Sequence, residues 1–323
     1  MNDISLEKKD KYCLFPLENM TFWNLYKKQL KAIWTVEELD FSEDYKDYMT
    51  LDENKKHTIK MILGFFANSD GLVNFNIKNN FLNDFSNEIT YTYIFQMFME
   101  NIHNETYSIM IETLIKDEKE KAQIFDSLNT NESIKEISKW GLEYSNGKFP
   151  ISIKILVFIC FEGIMFSGAF AIIYWLKKYA PRSDKSFMTG LVKSNELISR
   201  DEGMHVEFGI ELFKFNNTKD NIPNYKITEI ILQCVNLTKK FNKDTLNVKH
   251  MGINEELMNQ YTEYVADRIF VELGLDKFYK TNNPFSFMNT IGMVQKTNFH
   301  ESRPTEYQKA SSSSNSLNID DDF

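Results

Sequence analysis

The stretches MENIHNETYS (residues 99–108) and SNELISRDEGMH (194–205) repeat one small pattern, a glutamate followed three residues later by a histidine. Glu100 and His103 form the first pair, Glu202 and His205 the second. On an α-helix, positions i and i+3 share a face about one turn apart, so each pair can aim at one point. A single pair of this kind is common on surface helices. Two pairs in a chain with only 5 histidines are a much stronger signal.

Working outward, both stretches sit in long helical patterns. Residues 87–116 are rich in Tyr, Phe, Met and Ile, and 187–214 read as another amphipathic helix. Helical spacing of large residues also marks 22–34 (FWNLYKKQLKAIW), 224–247 and 254–273. In 53–80 it is carried by Ile59, Ile62, Leu63, Phe65 and Phe66, and 118–145 read as shorter helices with charged faces. The breaks are SNGKFP (145–150) and YAPRSDK (179–185). No strand-and-helix alternation and no solenoid-length repeat occurs. With 12 Gly and 6 Pro in 323 residues, many-turned sandwiches and barrels are disfavoured. The expectation is an all-α chain: a flexible start (1–15), one large helical domain (16–299) and a tail (300–323) ending in the low-complexity, acidic ASSSSNSLNIDDDF.

A net charge of −9 and the lack of a basic block argue against nucleic acid as a partner. Cys13, Cys160 and Cys234 are scattered and odd in number, which fits a reducing compartment rather than a disulfide framework. The start, MNDISLEKKDKY, shows no apolar signal core, so a cytoplasmic location is expected. Residues 155–176 are long and apolar enough to cross a membrane, with Glu162 their one charged residue. A charge in mid-span is costly in a bilayer, so a helix buried within a bundle is the better reading and no membrane partner is expected. Glu162 then needs a cation or a hydrogen-bond partner, and Arg200 or a lysine would also serve.

Two Glu-x-x-His helices plus one lone carboxylate from each of two other helices resemble the ligand set of ferritin-like dimetal proteins. Glu162 supplies one lone carboxylate by the burial argument. For the other, Asp40 in WTVEELDF (34–41) is the choice, with Glu37, Glu38 and Asp44 as competitors that spacing does not exclude. Four ionised carboxylates would balance two divalent cations, and carboxylate with imidazole suits iron or manganese. Tyr107 lies four residues after His103 on the same face. Phe166 and Phe170 follow Glu162 by four and eight residues, and Ile198 precedes Glu202 by four, so an apolar shell is expected near the ligands.

With these residues assembled, the chain resembles the small, radical-generating subunit of class I ribonucleotide reductase, in its eukaryotic and viral branch. WTVEELDFSED (34–44), MENIHNETYS, FEGIMFSGAF (161–170), SNELISRDEGMH, ADRIFVELG (266–274) and TEYQ (305–308) carry the resemblance. It implies a ferritin-like helical bundle holding two iron ions per chain in an oxo-bridged centre, with manganese as an alternative. Asp40, Glu100 and His103 would hold one ion, and Glu162, Glu202 and His205 the other. Tyr107 takes the position of the stable tyrosyl radical, formed with O2. Trp23, in NMTFWNLYKK (19–28), takes that of the tryptophan on the long-range radical path, and Asp201 that of the aspartate linking it towards His103. Tyr307 would relay the radical to the large (alpha) subunit, on which the C-terminal LNIDDDF (317–323) would dock. The implied assembly is a homodimer working with that subunit, which reduces ribonucleoside diphosphates to deoxyribonucleotides for DNA synthesis. A ferroxidase needs no Trp23, Tyr307 or tail, and a silent scaffold needs no radical. Both remain rival readings that a radical spectrum would separate.

Overall fold

The computed structural model describes residues 14–82, 85–179, 187–246 and 252–288. Most of the start expected to be flexible, together with Tyr307 and LNIDDDF, lies outside the described residues. The chain divides into two compact units, Met1–Pro284 and Phe285–Phe323. The helices and the site below belong to the first.

Its elements are α1 (Met20–Leu30), a 3-10 turn (Val36–Glu38), α2 (Asp44–Met49), α3 (Glu53–Asn80), α4 (Asn87–Leu114), α5 (Glu118–Phe125), α6 (Ser127–Thr130), α7 (Glu132–Asn146), α8 (Ile151–Cys160), a π segment (Phe161–Met165), α9 (Phe166–Lys178), α10 (Thr189–Asp220), α11 (Asn224–Thr245) and α12 (Glu255–Glu272). No strand occurs among the described residues. Several helices start where the sequence offers a capping side chain. Asn19, Asp52, Asp117, Asn131 and Asn254 each accept a backbone N–H of the first turn, a contact typically worth about 1 kcal/mol.

The run α8–π–α9 is the apolar stretch that resembled a membrane span. It is one continuous helix, Ile151–Lys178, with 94% of its most apolar window buried inside the bundle. Helix α10 packs along α8 and α9, while α3 pairs with α4. The five-residue π segment interrupts the α-helical ladder at Glu162. Such interruptions commonly mark functional sites, because they re-aim a side chain without ending the helix.

The first expected helix, 22–34, stops short. Ala32 N–H bonds back to Gln29 O, and Thr35 N–H then donates to Glu38 Oε1 at 2.9 Å as the 3-10 turn begins. Trp34 therefore leaves the helical path and turns inward, to 2% exposure. Helix α10 is anchored at its start by α2. Asp47 Oδ2 accepts from Met188 N–H, and Asp44 accepts from Gly190 and Leu191 N–H at 3.0 and 2.7 Å. Asp44, a competitor for a ligand role, thus caps the helix that carries Asp201, Glu202 and His205. Burial pushes its carboxyl above the usual range, and those two N–H bonds pull against the shift.

Candidate metal centre

Four elements converge on one buried cluster. Helix α3 brings Asp70, α4 brings Glu100 and His103, the π segment brings Glu162, and α10 brings Glu202 and His205. All six are 2% exposed or less. Glu100, Glu162, Glu202 and His205 offer ligand atoms within 4.8 Å of one another, and so do Asp70, Glu100 and His103. Glu100 belongs to both groups. Its Oε2 lies 3.4 Å from His103 Nδ1 and its Oε1 3.2 Å from His205 Nδ1. Glu202 spans the same two rings, at 3.2 and 3.4 Å. The two Glu-x-x-His pairs therefore face each other, each glutamate reaching across to the other pair's histidine.

Asp40 is not part of this cluster. It is exposed, in the irregular stretch after the 3-10 turn, and its Oδ1 accepts the Ser42 N–H at 2.9 Å. That local turn lowers its pKa and occupies its carboxylate at the surface. Asp70, which the sequence reading missed, stands in the cluster instead, with ligand atoms close to those of Glu100 and His103. A signal was present: Asp70 follows Phe66 by four and Leu63 by seven, so it is a carboxylate on the buried stripe of α3.

The donor set suits a pair of hard to borderline cations. Both oxygens of Glu100 and of Glu202, Glu162 Oε2, Asp70 Oδ2, and Nδ1 of His103 and His205 are buried without a hydrogen-bond partner. So many orphaned lone pairs in one dry pocket would be costly, and cations would satisfy them together. Charge crowding appears in the pKa shifts. Burial, then Glu202 and Glu100, push Glu162 well above the usual carboxylate range. Burial and Glu100 do the same to Asp70. For Glu100, burial acts upward but the ring nitrogens of His103 and His205, 3.4 and 3.2 Å away, outweigh it, giving about 2. Burial would lower both histidines; their carboxylate partners reverse this, raising His205 to about 9 and His103 well above its usual value.

Glu162 does not pair with Arg200. It accepts from Gln96 Nε2 at 2.9 Å, and Gln96 is fully buried on α4. One glutamate oxygen is thereby fixed and the other left for a cation. Gln96→Leu should weaken ferrous binding by about tenfold while preserving helical content. An anaerobic ferrous titration that shows native affinity would refute this orienting role.

Outside the ligands, His103 Nε2 lies 3.2 Å from Asp201 Oδ2, and Trp34 Nε1 donates to the same oxygen at 2.7 Å. Arg200 holds the other oxygen through Nε and Nη2. A carboxylate behind a metal-binding histidine fixes which ring nitrogen faces the metal. Trp34 also lies nearly parallel to His103, with centroids 5.9 Å apart and planes 19° apart. Trp23, expected in this role, lies elsewhere: it remains in α1, half-buried, against Tyr26 and under Lys27. The early end of α1 is the physical reason, since it frees Trp34 and not Trp23 to reach Asp201.

Tyr107 is 2% exposed, and its hydroxyl has no hydrogen-bond partner among the described residues. Burial first, then the charges of Asp70, Glu202 and Glu100, raise its pKa well above the usual value. Phe66 stacks on it at 4.7 Å and 6°, and Phe170 and Phe166 pack behind Phe66 at 4.9 and 5.3 Å. The expected apolar shell exists, with Phe66 as its unforeseen inner layer.

An all-helical bundle with paired Glu-x-x-His ligands and two further carboxylates defines the ferritin-like dimetal-carboxylate class. Residues 11–284 match the family described as ribonucleotide reductase, small chain, and this chain belongs to that family. It is 43% identical over 319 residues to the ribonucleoside-diphosphate reductase small chain of Yaba-like disease virus, covering 96% of each. It is 41% identical over 323 residues to subunit M2 of Mesocricetus auratus, covering 98% of this chain and 81% of that one. Among solved structures, the ribonucleotide reductase Rnr4 homodimer of Saccharomyces cerevisiae superposes with a TM-score of 0.76 at 30% identity, covering 90% of this chain and 91% of that chain.

Proposed function

We infer that this chain is the radical-generating small subunit of a ribonucleoside-diphosphate reductase, and that the centre built by Asp70, Glu100, His103, Glu162, Glu202 and His205 holds two iron ions, with manganese as an alternative. The observation that carries this reading is the burial of Tyr107 near that cluster, where the charges of Asp70, Glu202 and Glu100 act on its hydroxyl. A bound metal pair would supply the redox chemistry with O2 that no side chain here provides. The protein's share is positional. Gln96 and Asp201 orient Glu162 and His103. Phe66, Phe166 and Phe170 exclude water from Tyr107, whose electron and hydroxyl proton the O2 chemistry of a bound metal pair would take up. Trp34, Asp201 and His103 form a connected line by which the radical is passed towards the partner that binds nucleotides. Tyr307 and the tail residues Leu317, Ile319 and Phe323 extend that route to the large subunit, with Asp320–Asp322 adding charge attraction. The free, buried Cys160 and Cys234 suit a reducing, cytoplasmic setting.

After loading with ferrous ion and exposure to air, the native chain should show a narrow organic radical in its electron paramagnetic resonance spectrum. Tyr107→Phe should keep the metal-centre absorption and lose that signal. The same signal from the variant would move the radical to another residue. Removing residues 317–323 should leave metal and radical intact and abolish nucleotide reduction; undiminished turnover would overturn the docking role.

The homodimer would form through one face of α3 and α4. Ile94 and Phe98 on α4 are 52% and 47% exposed, with Tyr91 beside them and Phe75 of α3 41% exposed. Asn74 Nδ2 donates to Asn101 Oδ1 across the α3–α4 seam at 3.3 Å. An aromatic patch of this kind on two paired helices suits a second copy of the chain. Phe98→Glu should sediment as a monomer, whereas an unchanged dimer would place the interface elsewhere.

A further inference from the structure

The metal cluster is sealed on the sides already described: Tyr107 and Phe66 close one, Trp34 and Asp201 another, and every ligand is almost fully buried. O2 must still reach it. Between α3, α7 and α8 runs a narrow cavity of about 20 Å³, lined chiefly by Leu72, Val73, Leu142, Val157, Phe158 and Phe161. We propose that this crevice is a binding site for small apolar gases and the route by which O2 reaches the metal centre; the second half rests on the O2-dependent function proposed above.

Three observations support it. First, its inner wall lies beside two ligands on different helices. Val73 follows Asp70 by three residues on α3. Phe158 precedes Glu162 by four, and Phe161 is its neighbour. Positions three or four apart on a helix are about 5–6 Å apart at Cβ, so two lining residues stand about one helical turn from a carboxylate of the cluster.

Second, the lining suits a gas better than water. A space of this size would admit one water, but water needs two to four polar partners to stay. The inner wall offers aliphatic and aromatic carbon. The polar groups sit at the rim, where they are engaged with one another. Asn80 Nδ2 donates to Asn76 Oδ1 and to Ser145 Oγ, and Lys154 Nζ donates to Asn80 Oδ1 and to Ser145 O. The mouth is thus polar and tied, the throat apolar. Leu72 and Leu142 at the mouth are half-buried, whereas Val73, Val157, Phe158 and Phe161 are buried.

Third, Gly141 keeps the inner end in shape. A Cβ at this position would stand 2.6 Å from Phe161 Cε2 and 2.8 Å from its Cζ. The ring edge occupies the room a side chain would need. Phe161 is held there by stacking on Trp140, at 5.7 Å and 29°. The aromatic wall next to Glu162 is therefore fixed by close packing on α7.

The test has two arms. Crystals of the full-length, metal-free protein are pressurised with xenon, and Val157→Ala and Leu142→Trp are treated alike. The expected result is a xenon atom between Val157 and Phe161, with higher occupancy in Val157→Ala and none in Leu142→Trp. Separately, each protein is loaded with ferrous ion without air and mixed rapidly with O2. Leu142→Trp should slow the O2-dependent oxidation about tenfold or more, with anaerobic ferrous loading unchanged, and Val157→Ala should match or exceed the native rate. Leu72→Trp, on the opposite wall, repeats the blockade should the first variant fold poorly. No xenon in the crevice, or a blocked variant that loads iron and oxidises it at the native rate, overturns the inference. A native chain that loads ferrous ion and consumes no O2 overturns instead the function on which the O2 route rests, while the xenon arm still decides gas binding.

Discussion

Asp70→Asn should leave the chain with about one tightly held iron instead of about two, while Asp40→Asn should leave both in place. The contrast follows from burial. Asp70 is 1% exposed and faces Glu100 and His103, whereas Asp40 is exposed and bonded to Ser42 N–H. The same substitution should act in the opposite direction on the metal-free protein. Burial and Glu100 raise the folded-state pKa of Asp70. A group raised in this way favours folding below its unfolded pKa and costs stability as pH rises through the folded value. At neutral pH its removal should therefore raise the melting temperature of metal-free protein, or leave it unchanged. What the variant should lose is the additional stabilisation that bound metal gives to the folded state. Metal analysis after anaerobic ferrous loading, with melting curves in the presence and absence of metal, reads both effects. Two irons in Asp70→Asn, or one in Asp40→Asn, would return the sixth ligand to the segment before α2.

The contrast between these aspartates shows what was legible in the sequence. Glu162 stands out because it is the single charge in a long apolar run, and the Glu-x-x-His pairs because they occur twice. Both are local patterns that survive without knowledge of the fold. Asp70 obeys the same logic as Glu162, since it lies on the apolar stripe of Leu63 and Phe66. The stripe in α3 is diluted by Asn68, Ser69, Asn74 and Asn76, so its one carboxylate does not stand out. Asp40 sits in a stretch whose resemblance to the family is strong, yet its side chain is used by a two-residue turn that no helical periodicity reveals. The long helices and the buried membrane-like run were readable because their apolar faces persist over many turns. The π segment was not, because its one-residue offset leaves the hydropathy of 151–178 unchanged. Gln96 was hidden for a different reason: a buried amide has meaning only once its partner on another helix is known.

Trp34→Phe should retain both metals and the Tyr107 radical and lose turnover with the large subunit by a factor of about 100 or more, equivalent to at least about 2.7 kcal/mol of barrier. Trp23→Phe should stay within about twofold of native turnover, below about 0.5 kcal/mol. The expectation rests on connectivity. Trp34 Nε1 and His103 Nε2 converge on one oxygen of Asp201, so the indole is two hydrogen bonds away from the buried cluster. Its ring also stacks beside that of His103. Phenylalanine preserves much of the apolar packing but removes the N–H and is far harder to oxidise. Asp201 would keep His103 and Arg200 as partners, so the ligand geometry should survive and the defect should be confined to transfer. Trp23 has no such link: its aromatic neighbour is Tyr26, within α1. Its substitution should affect local packing alone. The decisive comparison pairs the radical signal with turnover in the same preparation. A Trp34→Phe protein with a full radical and native turnover would show that the radical leaves Tyr107 by another path. A Trp23→Phe protein that keeps its radical and loses turnover would restore α1 as part of that path.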